Sequence, residues 1–308
     1  MQLLKKSLLE VGFDGIFTEV EHAESLGLKN PHQLRMFHLN VGTSAFSLDA
    51  LHRFLRRNIG RYVYSRAKIE QFHVEGDSET IAFQAISLLR KVCNMDDSWI
   101  GEELGDVMLY IFLEQILGAP KLYNKIELVQ FGNHNIQNGG GVHLLPLKNG
   151  EIPSYQMVFG KSNIIGDLQD AIDNAFNSLV TIRDNPSEEL RLVESTIFAQ
   201  AYDAQTTDYL RDLIIPGKQK NTPVDRAFGV FLGYSLGLIA DNYSNEAFRK
   251  EIKRRMNLDI KAHSAYIVKK IKEENLSAHS FYFYILPFND ADGEKLSIMS
   301  DLLGGGVV

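Results

Sequence analysis

The sequence predicts an α/β (α+β) fold, a central mixed sheet with flanking helices and a helical C-terminal region. Three observations carry this. Between Asn138 and Asn163, two short apolar runs flank Lys148-Asn149-Gly150, which is the pattern of a β-hairpin. Helical stripes stand on both sides of that hairpin. Late in the chain, Ser280 to Phe288 (SFYFYILPF) is dense in aromatic and β-branched residues, as a strand buried on both faces would be.

Taken in order, Leu34 to Val41 reads as an early strand, and Ser47 caps a helix through SLDALHRFLRRNIGRYV. Glu79 to Met95 places Ile81, Ala85, Leu88 and Val92 at helical spacing. DDSWIGEELGDVMLYIFLEQILGAP has Asp97 or Ser98 as cap, a stripe from Ile100 to Leu117, and Gly118-Ala119-Pro120 as terminator. Lys125 to Phe131 alternates like a strand, the hairpin follows, and Ile164 to Ile182 is expected to be a long helix. The last third is expected to be helical around 190–204, 226–239 and 245–274, ahead of the late strand. Domain limits are not sharp. The expected division is an N-terminal α/β region (1–75), a core (76–189) and a helical region ending in a core strand (190–308), or one continuous domain.

With 308 residues, 44% hydrophobic and 23% charged, the chain has the composition of a globular protein and not of a disordered one. No apolar run approaches the roughly 18 residues a membrane helix needs. Glu10 and Asp14 interrupt any signal-peptide core near the N-terminus, so a cytoplasmic location is expected. Cys93 is the only cysteine, which rules out an internal disulfide and a thiolate cage. Its setting in AISLLRKVCNM fits a buried helical thiol.

The net charge of −7 argues against a surface that is basic all over. The distribution is uneven, however. His52 to Lys68 gathers Arg53, Arg56, Arg57, Arg61, Arg66 and Lys68 with two tyrosines interleaved, and Arg249 to Lys270 is again basic. Each is either a solvated helix face or a footprint for a phosphate backbone. Arg56, Arg57 and Arg61 are the candidates of the first segment.

The predicted order, helix then three strands, a helix and a further strand, resembles the core of the PD-(D/E)XK nuclease superfamily. A narrower likeness runs in segments from Arg35 to Leu303. GEELGDVMLYIFLEQILGAPKLYNKIEL, GGGVHLL, MVFGKSNIIGDLQDAIDNAFNSL, FGVFLGYSLGL and HSFYFYILPFND resemble the HamA subunits of the Hachiman anti-phage defence system. The resemblance implies a nuclease-like subunit that degrades DNA during infection and pairs with a superfamily-two helicase subunit (HamB-like). It also implies a metal set of an Asp opening the second strand and Glu-x-Lys on the third. Here the Asp position falls on Gly140, the Glu position on Lys161 and the Lys position on Asn163. None of the three expected letters is present.

Phosphodiester hydrolysis through Mg²⁺ needs carboxylate oxygens to fix the ion, which then polarises the phosphoryl group and activates water. Replacing Asp, Glu and Lys by Gly140, Lys161 and Asn163 changes the set from net negative to net positive, favouring a phosphate over a divalent cation. Lys161 and Asn163 are two apart and so share one face of the strand. They and Gly140 are therefore nucleic-acid-binding candidates, and no metal ligand is assigned. The alternative is an active Mg²⁺-dependent nuclease with migrated groups. Glu102 or Glu103 on the preceding helix, His143 and Lys161 would then work together. Against it, Glu102 and Glu103 fit equally as acids complementing a helix dipole, and His143 as a histidine satisfying a backbone carbonyl. By alternation His143 faces away from Gly140 unless the glycines form a bulge.

Overall fold

The computed structural model describes residues 5–9, 11–93, 98–123, 126, 140–147, 154–184 and 224–304. Its strands are β1 (Phe17–Val20), β2 (His32–Leu39), β3 (Val41–Gly42), β4 (Ala45–Phe46), β5 (Lys121–Tyr123), β6 (Gly141–Leu147), β7 (Ser154–Ile164), β8 (Val224–Ser235) and β9 (Ser280–Phe288). Among the described residues, seven of them form one sheet in the order β1-β2-β9-β8-β7-β6-β5, while β3 and β4 pair apart. The sheet is mixed. β2, β9, β8 and β7 run parallel, and β1, β6 and β5 are antiparallel to their neighbours.

The helices are α1 (Leu48–Val63), α2 (Arg66–Glu75), α3 (Ile81–Cys93), α4 (Ser98–Phe112), α5 (Leu168–Asp184), α6 (Asn245–Glu273) and α7 (Ala291–Leu302). Buried residues of α1 to α4 and α7 form the core on one face, and those of α5 and α6 the core on the other. Strand β9 divides its side chains between the two: Tyr282, Tyr284, Leu286 and Phe288 join the α4 side, Phe281, Phe283 and Ile285 the α5 side. All nine of its residues are buried. On the α4 side, Phe112 stacks on Phe231 and Tyr284 at centroid distances of 5.7 and 5.4 Å. Each such ring contributes about 1.5–3 kcal/mol by leaving water.

The hairpin forms as expected, with Gly141 opposite Gly160 and Leu147 opposite Ser154. Its turn, 148–150, lies outside the described residues. So do the expected helix at 190–204, Asp97, and all but Ile126 of the expected strand at 125–131. Ile126 is buried and helical, and the strand beside β6 is the shorter Lys121–Tyr123.

Two expectations are corrected. Arg226 to Ile239 is not a helix; most of it is β8, which lies between β7 and β9. A central strand covered on both faces reads as a continuous apolar run, and periodicity cannot separate that from a buried helix. The glycines in it serve close packing. A Cβ at Gly229 would come within 2.8 Å of the Leu113 side chain, and one at Gly233 within 2.9 Å of Ile164 and Phe288. Ile164 does not begin α5; it ends β7 opposite Gly233. The helix starts after Asp167, whose Oδ1 accepts from the backbone N–H groups of Gln169 and Asp170 at 2.7 and 3.1 Å. The sheet takes strands from 1–75, 76–189 and 190–308 alike.

Candidate functional site

The site lies where β6 begins and β7 ends, between α4 and α5. Gly141 adopts φ +135°, a conformation open chiefly to glycine, and regular alternation breaks there. Val142 still points to the α5 side, yet the open side of Gly140 is turned to α4. A Cβ placed on Gly140 would stand 2.5 Å from Asp106 Oδ1 and 2.9 Å from its Cγ. Ser162 Oγ donates to the same oxygen at 2.5 Å. Gly105, one residue earlier in α4, lets the helix approach; a Cβ there would meet Ser162 Oγ at 2.6 Å. Three small positions thus let α4 lie directly on the ends of the hairpin arms.

Glu103 and Asp106 are one helical turn apart and share a face. Glu103 is wholly buried and Asp106 is 4% exposed. The Tyr62 hydroxyl donates to Glu103 Oε1, and burial, reinforced by the charges of Glu103 and Asp106, keeps that phenol far above its usual range. Glu102 points to solvent.

Deeper on the same side, His143 is buried and its Nδ1 donates to the Ala119 carbonyl at 2.8 Å. Burial lowers its pKa to about 4, so it is neutral at ordinary pH. Beside it, α4 runs into a π-helical turn, Leu113–Leu117, closed by Gly118 at φ +74°. Such a turn re-aims a side chain, here Glu114. Its buried carboxylate receives the Ser7 and Leu8 N–H groups, each at 2.6 Å, and the Lys121 N–H at 2.8 Å. Lys121 Nζ donates to the carbonyls of Arg61, Tyr62 and Tyr64, 2.6–3.1 Å away, which close the end of α1.

Lys161 and Asn163 occupy the opposite face. Alternation along β7 sets them with Met157 and Phe159, and their neighbours in β8, Val230 and Leu232, belong to the α5-side core. Both are half-buried. Lys161 makes no ion pair with a described residue, and Asn163 Oδ1 is buried without a hydrogen-bond partner among them.

The structure therefore brings Asp106 to Gly140, with Glu103 one turn away on α4, sets His143 on the same side of the sheet, and puts Lys161 and Asn163 across it. Glu102, Glu103, His143 and Lys161 are not gathered in one place. Among the described residues, no three His, Cys, Asp or Glu side chains come together to hold a metal ion. Sequence reasoning missed Asp106 and Ser162. The signal for Asp106 was its three-residue spacing from Glu103; for Ser162 there was none without the register.

In the basic segment, Arg56 donates to the Asp301 carbonyl at 2.9 Å, and His52 contacts the Asp301 carboxylate at 2.7 Å. Arg66 donates to the carbonyls of Lys5 and Lys121. Arg57 is exposed and Arg61 partly so. No described helix is long and apolar enough to cross a membrane.

No curated protein and no solved structure matches this chain. A family model does match it, over residues 14–302, and by that match the chain belongs to the HamA family, the HamA subunits of the Hachiman anti-phage defence system.

Proposed function

We propose that this chain is a nuclease-like subunit that binds nucleic acid and acts with a helicase partner, its metal site having been lost. The observation that carries this is the contact between Gly140 and Asp106. The position where the superfamily pattern calls for a metal-binding acid is a backbone glycine closed against a carboxylate, with 2.5 Å between that oxygen and a Cβ.

Mg²⁺ does not suit this arrangement. It demands octahedral coordination and usually keeps several waters, which needs open space beside its carboxylates. Asp106 is instead sealed by Gly140 and engaged by Ser162, while Glu103 is buried against Tyr62. Across the sheet the character is reversed. Lys161 has no carboxylate partner among the described residues, and Asn163 carries an unmet polar atom. An ammonium group beside an amide suits a phosphate oxygen.

The test is a pair of measurements on purified protein, alone and with a helicase subunit of the same defence system. Alone, it is expected to bind DNA and to nick plasmid no faster in Mg²⁺ or Mn²⁺ than in EDTA. Lys161→Ala is expected to weaken binding roughly threefold to tenfold, as loss of one phosphate contact does, with the fold unchanged. Copurification with the helicase is expected to survive.

A second reading is favoured by Glu103 and Asp106 standing together on α4. If Gly140 withdraws when DNA or the helicase binds, those two acids could hold a metal, and the chain would be an active Mg²⁺-dependent nuclease with migrated ligands. EDTA-sensitive nicking that Asp106→Asn abolishes would establish it and exclude the first reading.

A further inference from the structure

Helix α1 carries arginines at positions 53, 57 and 61, one per turn. At 1.5 Å rise per residue the three Cα atoms span about 12 Å along one stripe. Arg53 and Arg57 are exposed and Arg61 is partly so. None of the three guanidinium groups makes a hydrogen bond or ion pair with a described residue. Their neighbours differ. Arg56 is turned away and held by Asp301, and Arg66 is bound to backbone carbonyls.

The other basic helix offers a contrast. On α6, Arg254 and Arg255 both contact Glu251 at 2.6 and 3.0 Å, Lys250 contacts Glu246 at 2.7 Å, and Lys270 contacts Asp173 at 2.5 Å. Much of its charge is already met. Among the described residues, the stripe on α1 is a run of three arginines one turn apart with no carboxylate partner, in a protein of net charge −7.

We propose that Arg53, Arg57 and Arg61 form a docking comb for the phosphate backbone of duplex nucleic acid, read without regard to sequence. This rests on the nucleic-acid reading above and adds a second surface to it. Three guanidinium groups over about 12 Å match a run of four or five successive phosphates of one strand, which lie about 3.4 Å apart along the duplex axis. Arginine's planar fork suits phosphate oxygens. Single-strand binders add aromatic faces on which bases stack. Here the two tyrosines interleaved with the arginines are withdrawn: Tyr62 is wholly buried and Tyr64 is 5% exposed. The comb offers charge without a stacking platform, which favours a paired backbone.

The test compares wild type, the triple variant Arg53→Ala/Arg57→Ala/Arg61→Ala, and a charge-keeping triple Arg→Lys variant. Binding to a fluorescent duplex and to a single strand of the same length is followed across a salt series. The alanine variant is expected to lose roughly tenfold or more in duplex affinity, and its log–log salt dependence to flatten by about two to three. The lysine variant is expected to retain most of both, and wild type to prefer duplex. Equal duplex binding by wild type and the alanine variant overturns the comb while leaving the proposed function intact; absence of binding by wild type overturns both. A single-strand preference that Phe83→Ala removes, Phe83 being 76% exposed on α3, overturns the choice of duplex. Loss of helicase copurification with duplex affinity unchanged reassigns the stripe to a protein partner.

Discussion

Asp106 and Gly140 cannot both carry a side chain into the space between them. The carboxylate of Asp106, on α4, fills the position that a Cβ of Gly140, at the start of β6, would take, with Oδ1 only 2.5 Å from that Cβ. Where the resemblance calls for an acid on the hairpin, Gly140 leaves room, and the helix fills that room with the carboxylate of Asp106.

Writing the expected acid back is therefore expected to fail by itself. Gly140→Asp brings a second carboxylate onto a buried one, combining overpacking with like-charge repulsion, at a cost of about 2–4 kcal/mol. In Gly140→Asp/Asp106→Ala the cost is expected to fall by 1 kcal/mol or more. Urea unfolding of the two singles and the double gives the coupling directly, and additive losses would mean that the two positions do not compete.

Glu114 anchors the N-terminal segment. Four groups point at its carboxylate, the N–H groups of Ser7, Leu8 and Lys121 and the Ser7 hydroxyl, at 2.6–2.9 Å. Glu114→Gln turns one acceptor into a donor facing these donors, and is expected to cost about 3 kcal/mol. Hydrogen exchange is expected to quicken at Ser7 and Leu8 before it does in β7. Unchanged protection at those two amides would show that the segment is held by its apolar contacts instead.

His143 sets part of the acid response. Its pKa is lowered from 6.5 to about 4 by burial, so the unfolded chain takes up a proton in a range where the folded one does not. Its contribution to stability is complete above about pH 6.5, declines as the pH falls towards 4, and amounts to about 3 kcal/mol over that interval. His143→Gln keeps a donor for the Ala119 carbonyl and removes the titration. The variant is expected to show a shallower loss of stability between pH 6.5 and 4. His38 and His279, which burial also shifts downward, retain part of the slope. Identical pH profiles for variant and wild type would place the acid sensitivity elsewhere.

Much of the fold was legible because its local signals agree with its tertiary context. The periodicity of α1, α3 and α4, the hairpin and the aromatic density of β9 each match the element that forms. Strand β8 misled because burial on both faces removes the alternation that marks a strand, and its glycines, needed where Leu113 and Ile164 press in, look the same in a buried helix. The site was legible only in part. Counting two residues from Lys161 to Asn163 placed them on one face correctly, but whether Gly140 looked to that same face depended on the bend at Gly141. One glycine torsion decided which residues could meet, and a sequence does not display torsions. Arg53 and Arg56 likewise look equivalent along the chain until Asp301 takes one of them.

The sheet order has a bearing on how the molecule is made. Strand β2 belongs to the first forty residues, yet its parallel neighbour is β9, whose register runs from His32 opposite Phe281 to Met36 opposite Ile285. About 240 residues separate the end of β2 from the start of β9, and all of them must be made before that seam can close. Until then the early hairpin of β1 and β2 presents an open ladder to the cell, and loop closure over so long a span is slow. Nascent chains are thus open to mispairing along β2 until β9 has been made.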